Sequence, residues 1–178
     1  FANTIFGLVF PLITLPYLTR VLTTEGYGVV AYVKSCMSYM QIIIDFGFIL
    51  SAVKDIVASK GDYEKIGEIV GQIVVAKLIL AIVIFIATII LCCVIPILKN
   101  HKLFTILYVL SIMITAFSTE YLFRGIERMQ LITIVYVLTK GTVTILTFFL
   151  VKGDNDLLMI PVMEVIGNCI GVIVTWVL

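Results

Sequence analysis

Charge is scarce in this chain. Only 13% of its 178 residues are Asp, Glu, Lys or Arg, and it has a single histidine, His101. Soluble domains carry about a quarter charged residues. Here 62% of residues are hydrophobic and the mean hydropathy is +1.22, which excludes a soluble globular domain and indicates an integral membrane protein. One histidine cannot build a His-based metal cluster or a Ser–His–Asp triad within the chain. HExxH, GxSxG and P-loop motifs are missing, as is an acidic cluster able to hold magnesium on a diphosphate. The chain therefore reads as a non-enzyme, without a cofactor and without ATP-driven transport. Twelve basic and eleven acidic side chains leave a net charge of +1, so no nucleic-acid partner and no polybasic tail are expected. The four cysteines, Cys36, Cys92, Cys93 and Cys169, lie inside apolar stretches with neither metal-ligand nor disulfide spacing and read as small core residues. An initiator Met and a signal peptide are also missing. Residue 1 already lies in an apolar stretch, and IGVIVTWVL ends the chain without a polar flank. The chain is thus read as part of a larger protein, cut at both ends.

A spanning helix needs roughly 20 mostly apolar residues. Six stretches qualify, at about 1–19, 29–53, 66–95, 103–123, 131–151 and 157–178. Lipid offers the backbone no hydrogen bonds, so these are helices despite their many β-branched residues. The expected fold is an all-α polytopic bundle over 1–178, with short polar connections and antiparallel neighbours. Those connections are Arg20 to Gly28, the SKGDYEK stretch, LKNHK behind Pro96, RGIERM and KGDND. With the N-terminus in the cytoplasm, Lys54, Lys60, Lys65, Arg124 and Arg128 fall inside, against Arg20, Lys99, Lys102 and Lys152 outside. The positive-inside rule leans that way.

What charge there is lies deep. An ionisable residue at mid-membrane costs about 2.5–3.5 kcal/mol on insertion scales and needs a reason. Lys34, Ser38, Gln41 and Asp45 share one face of the second helix. Thr133, Tyr136, Lys140, Thr144 and Thr147 do so in the fifth, and Glu164, Asn168, Gly171 and Thr175 in the sixth. The first offers Asn3, Gly7, Pro11 and Thr14, and the fourth offers Ser111, Thr115, Ser118, Glu120 and Arg124. The third has a sparser set, Lys77, Ala81 and Thr88. Polar faces on nearly every helix imply a wet or polar lining. Simpler roles compete. Glu120 and Arg124 are spaced for an i,i+4 ion pair. Lys77 and Lys34 sit where a lysine can snorkel. Asp45, Lys140 and Glu164 have apolar flanks on both sides and favour a functional role, although Asp45 pairing with Lys140 would also explain them. Gly67/Gly71 and Gly167/Gly171 have the spacing of small-residue helix contacts. Pro11 and Pro16 kink the first helix or free a carbonyl, and Pro161 sits in the first turn of the sixth.

Four local motifs carry a resemblance that covers essentially the whole chain. They are Pro16-Tyr17 with Arg20, Glu25 to Gly28, Asp45-Phe46-Gly47-Phe48, and Arg124-Gly125-Ile126-Glu127. Together they resemble the bacterial polysaccharide-biosynthesis flippases, the Wzx-type translocases of O-antigen or capsule repeat units. These share the MOP superfamily with MATE drug exporters and lipid II flippases. Thr23 departs from the glycine usual in that family's first turn, and Arg124 from its usual neutral polar residue. The resemblance implies a two-lobed transporter of a dozen or more helices, of which these six form the first lobe. It implies a bacterial inner-membrane protein with a cytoplasmic N-terminus. Its partners would be an undecaprenyl-diphosphate-linked oligosaccharide, membrane lipids, the second lobe, and as a candidate the polysaccharide polymerase machinery. By resemblance, Lys34, Lys77 and Lys140 hold the diphosphate or acidic sugars, while Asp45 and Glu164 tune them or carry a coupling ion. Pro16, Tyr17, Arg20, Gly28, Gly47, Glu120, Arg124, Gly125 and Glu127 take motif or structural roles. The transport mode expected is ion-coupled alternating access. A MATE-like cation antiporter and a non-transporting scaffold subunit are the rival readings.

Overall fold

The computed structural model describes the backbone of residues 2–45, 47–59 and 61–177, with the side chains at 2–6, 8 and 49 also outside the described set. The expectations on Asn3, Phe46 and Lys60, and on both end residues, fall outside it. The helices are α1 (Ala2–Val21), α2 (Thr24–Asp45), α3 (Phe48–Ala58), α4 (Tyr63–Val94), α5 (Pro96–Asn100), α6 (Lys102–Thr115), α7 (Glu120–Gly125), α8 (Met129–Leu150) and α9 (Met159–Val177). A 3-10 turn at Asp154–Asp156 precedes α9, and no strand occurs among the described residues. Thr24–Ala58, Tyr63–Val94, Lys102–Gly125, Met129–Leu150 and Met159–Val177 are each long and apolar enough to cross a bilayer. α1 has 20 residues and is apolar over Val9–Val21. The outer face of α4 shows Ile79, Ile82, Val83, Ile86, Ile90 and Val94, each more than half exposed. Such a surface suits hydrocarbon and not water. The chain is an all-α polytopic membrane bundle.

Several boundaries differ from those read off hydropathy. The polar turn expected from Arg20 to Gly28 is nearly all helix. Arg20 closes α1, where a cation suits the dipole, and Glu25 opens α2, where an anion does. Thr23 caps α2, its hydroxyl accepting from the Gly26 N–H at 3.2 Å. Gly28 lies inside α2. The expected second span is two helices, because Gly47 takes φ 75°, a left-handed conformation that glycine adopts at little cost. The expected fourth span is also two. After Thr115 the chain forms i→i−3 bonds, Ala116 N–H to Met113 O, Phe117 N–H to Ile114 O and Ser118 N–H to Thr115 O, while the Thr115 hydroxyl donates to Ile112 O at 2.6 Å. Local hydroxyl bonding competes with the helix ladder here. α4 starts three residues early, since Asp62 caps it by accepting from Lys65 N–H. LKNHK is partly the short helix α5, with Pro96 at its first turn. α1 runs through Pro11 and Pro16 without a break. Glu127, with φ 61°, sits in the turn between α7 and α8.

α9 is the central post, packed against α6 and α8; α1 lies on α8, and α2 lies on α6 and α4. α3 packs on α7 and α4, around Ala52, Ile56, Ile73 and Tyr121. At the opposite end, Tyr17 donates to Phe148 O and Val151 O, both at 2.9 Å. Thr23 donates through its N–H and its hydroxyl to Asp154. A side chain at residue 26 would strike that carboxylate, 2.5 Å from its Oδ1. The α1–α2 and α8–α9 connections are thereby clasped together, and Thr23, the departure from the family pattern, supplies two of the bonds.

Candidate functional site

The polar faces converge. A cavity of about 410 Å³ lies between α2, α4, α6, α7, α8 and α9. All four polar positions predicted on the second helix line it, as do all five on the fourth. Tyr136 and Lys140 come from α8, Glu164 and Asn168 from α9, and Lys77 from α4. Thr14 and Thr147 instead line a neighbouring cavity of about 240 Å³, which shares Lys34, Ser38 and Glu164 with the first. Thr88 is turned away, donating to Ile84 O at 2.8 Å and contacting Met40 Sδ. Tyr108 and Thr139 also line the cavity and were not among the sequence candidates. Tyr108 extends the Ser111–Thr115 face back by one turn, which is the signal that could have found it.

Two ion pairs organise the walls. Lys77 Nζ lies 2.8 Å from Asp45 Oδ1, its side chain only 4% exposed, so it does not snorkel. Its ammonium also lies 5.6 Å from the centre of the Tyr121 ring. The second Asp45 oxygen accepts from Gln41 at 3.0 Å, and Gln41 accepts from the Thr115 hydroxyl at 3.1 Å. Lys77, α2 and α6 are thus tied by one continuous network. Lys140 Nζ lies 2.8 Å from Glu164 Oε2. The partner of Asp45 is therefore Lys77, and Lys140 belongs to Glu164 across α8 and α9. Asn168 fixes α9 to α6 through the Ser111 hydroxyl at 2.8 Å and carbonyl at 3.1 Å.

Three charged lining residues remain outside these pairs. Lys34 is exposed to the cavity and joins no ion pair among the described residues. Glu120 and Arg124 both face the cavity, yet no ion pair joins them among the described residues, contrary to their i,i+4 spacing. The Arg124 Nε is buried without an acceptor among the described residues. The lining as a whole holds four cations, Lys34, Lys77, Arg124 and Lys140, and three carboxylates, Asp45, Glu120 and Glu164. Such a site can bind an anionic group by displacing or supplementing its own carboxylates. Nothing in it resembles a catalytic constellation, and no group of three metal-ligating side chains occurs among the described residues.

The motif residues take structural places. Pro16 lies in α1, Tyr17 and Arg20 near the clasp, and Gly47 at the α2–α3 break. Gly125 lets α7 press on α3, since a Cβ there would meet Ile56 Cγ2 at 2.6 Å. Gly167 and Gly171 lie tight against Val143 and Thr139, as small-residue spacing predicts. Gly67 and Gly71 have the same spacing but nothing within 4 Å, so they are not a helix contact among the described residues.

Comparison with known proteins agrees with the motifs. Residues 2–178 match the family model described as "Polysaccharide biosynthesis protein". The chain is 26% identical over 120 residues to a protein of Escherichia coli (strain K12) named "Putative O-antigen transporter", covering 67% of this chain and 29% of that protein. It is 31% identical over 124 residues to a Shigella dysenteriae protein of the same name, covering 68% of this chain and 30% of that one. The chain thus spans less than a third of the length of these relatives. No solved structure matches it.

Proposed function

The chain belongs to the polysaccharide biosynthesis protein family, and from that premise we propose that it forms one wall of a translocation pathway for lipid-linked oligosaccharide. The cavity receives the diphosphate that joins sugar to polyprenol, and the rest of the protein supplies the facing lobe. The chain is then the first lobe of an inner-membrane flippase with a cytoplasmic N-terminus, working by alternating access. The observation that carries this reading is a cavity with four cations, deep in a bundle with a lipid-compatible surface, in which Lys34 joins no ion pair among the described residues. A cation antiporter would want an acidic excess here, and a scaffold would want every charge paired and packed. Asp45 and Glu164 hold Lys77 and Lys140 in place until a phosphate competes for them, which is one way a coupling ion could act on the same carboxylates.

Lys34 gives the cleanest test. Lys140→Ala or Lys77→Ala would strand a carboxylate, so a loss there mixes folding with function. Lys34→Ala breaks no ion pair among the described residues, and Glu164 keeps Lys140. In the complete protein it should weaken export of surface polysaccharide about tenfold or more, the scale of one charge-assisted hydrogen bond, with membrane abundance unchanged. Polysaccharide at wild-type level in cells carrying Lys34→Ala would remove Lys34 from the pathway.

A further inference from the structure

We infer that the second cavity is a water-filled vestibule of the main one, and that Tyr17, Thr23 and Asp154 form the latch that shuts it; this goes beyond the lipid-diphosphate reading and holds whatever the main cavity binds. The two cavities meet, since Lys34, Ser38 and Glu164 line both. From that shared section the main cavity runs towards Ser118 and Arg124. The second runs the other way, between α1, α2, α8 and α9, past Thr14 and Thr147 to Leu18 and Tyr27. Leu18 and Tyr27 lie within a turn of the α1–α2 connection, the outward end in the orientation proposed above. On α2 the lining runs from Tyr27 in one cavity to Asp45 in the other, about 27 Å of helix at 1.5 Å per residue. That is close to the roughly 30 Å of a hydrocarbon core, so the cavities in series reach nearly across it. The vestibule, at about 240 Å³, has room for several waters. The hydroxyls of Thr14, Ser35, Ser38 and Thr147 each donate to a carbonyl one turn back and keep lone pairs for water.

The latch crosses the outward mouth. Tyr17 shares its hydroxyl proton between Phe148 O and Val151 O at the end of α8, both at 2.9 Å, and its ring centre lies 4.2 Å from that of Phe148. Thr23 donates to Asp154 through its N–H at 3.0 Å and through its hydroxyl. Gly26 leaves the space that the carboxylate fills. Tyr17 adjoins Leu18 and Gly26 adjoins Tyr27, the two lining residues nearest that end. The bonds therefore tie α1 and α2 to α8 and α9 across the opening. The Thr23–Asp154 bonds are exposed, so water replaces them when they break and no buried polar group is stranded. Such a contact can open and close, whereas a buried one would hold permanently.

The test places single cysteines in the complete protein after every native cysteine has been replaced by alanine. Thr147→Cys probes the vestibule, where Thr147 is buried, and Ser118→Cys probes the main cavity. Each is labelled with a small, charged, membrane-impermeant methanethiosulfonate in right-side-out and in inverted vesicles. With the latch intact, Thr147→Cys should label slowly from the outer face. Asp154→Ala should speed that labelling about tenfold or more, the scale of one charge-assisted hydrogen bond, and leave Ser118→Cys unchanged. Thr23→Ser keeps both bonds and should label like wild type. Tyr17→Phe loses the bonds to α8 and should also label faster; it decides the matter if Asp154→Ala does not fold. Labelling of Thr147→Cys that neither Asp154→Ala nor Tyr17→Phe accelerates overturns the latch. So does equal acceleration at both probes, which is general loosening, or acceleration from the inner face alone. Farnesyl diphosphate takes no part in this readout, so each of these results leaves the lipid-diphosphate reading to the Lys34→Ala experiment.

Discussion

Lys77→Met is expected to destabilise the protein by about 3 kcal/mol. Removing one partner of a buried ion pair costs about 3–5 kcal/mol, because the other charge is left without compensation. The lower end applies because Asp45 keeps 32% of its side chain open to the cavity, whereas Lys77 has 4%. Methionine preserves most of the apolar stem, so the loss reports the charge and not a void. The effect should spread, since Asp45 also takes the Gln41 amide and Gln41 takes Thr115. Melting of the purified protein in detergent and its abundance in membranes both measure this. The double variant Lys77→Met/Asp45→Asn removes both charges and should recover most of the loss, the non-additivity expected of contacting residues. A Lys77→Met protein that melts like wild type would show that Lys77 is not the counter-ion of Asp45.

Gly167→Leu should abolish polysaccharide export. A Cβ at 167 would lie 2.3 Å from Val143 Cγ2 and 3.2 Å from the Thr139 carbonyl oxygen. The first can turn away, but the second is backbone, so α8 and α9 must part. Overpacking alone costs about 1–3 kcal/mol. The functional loss is larger, because the same two helices carry Lys140 and Glu164 at 2.8 Å, and Asn168 next to Gly167 ties α9 to Ser111. Parting α8 from α9 opens that pair and deforms the cavity. Gly67→Leu is the control: nothing lies within 4 Å of its Cβ position, so export and melting should match wild type. Normal export in Gly167→Leu would show that close packing of α8 on α9 is dispensable.

Those two glycine pairs also show what a sequence can and cannot reveal here. Both have the same small-residue spacing, yet one meets a neighbouring helix and the other meets nothing. Periodicity assigns residues to a face; it does not say which way the face turns. The polar stripes were legible for that reason. Lys34, Ser38, Gln41 and Asp45 share a helix face by spacing alone, and the cost of putting them in lipid turns that face inward. Partner choice was not legible. Asp45 had Lys140 as a plausible mate, and the rotation of α4 gave it Lys77 instead. The breaks at Gly47 and at 116–119 were hidden because hydropathy is blind to a single left-handed glycine and to hydroxyl groups bonding their own backbone. Arg124 read as half of an ion pair, and only the geometry separates it from Glu120.

Solvent and substrate access to Ser38 tests the central claim most directly, since Ser38 lies on the α2 face one turn from Lys34 and lines both cavities. Cys36, Cys92, Cys93 and Cys169 are first replaced by alanine, and Ser38→Cys is then labelled with a polar maleimide in membrane vesicles. A water-filled pathway for lipid-linked diphosphate predicts ready labelling that farnesyl diphosphate slows and farnesol does not. An unreactive thiol, or one that farnesyl diphosphate leaves fully reactive, would contradict it.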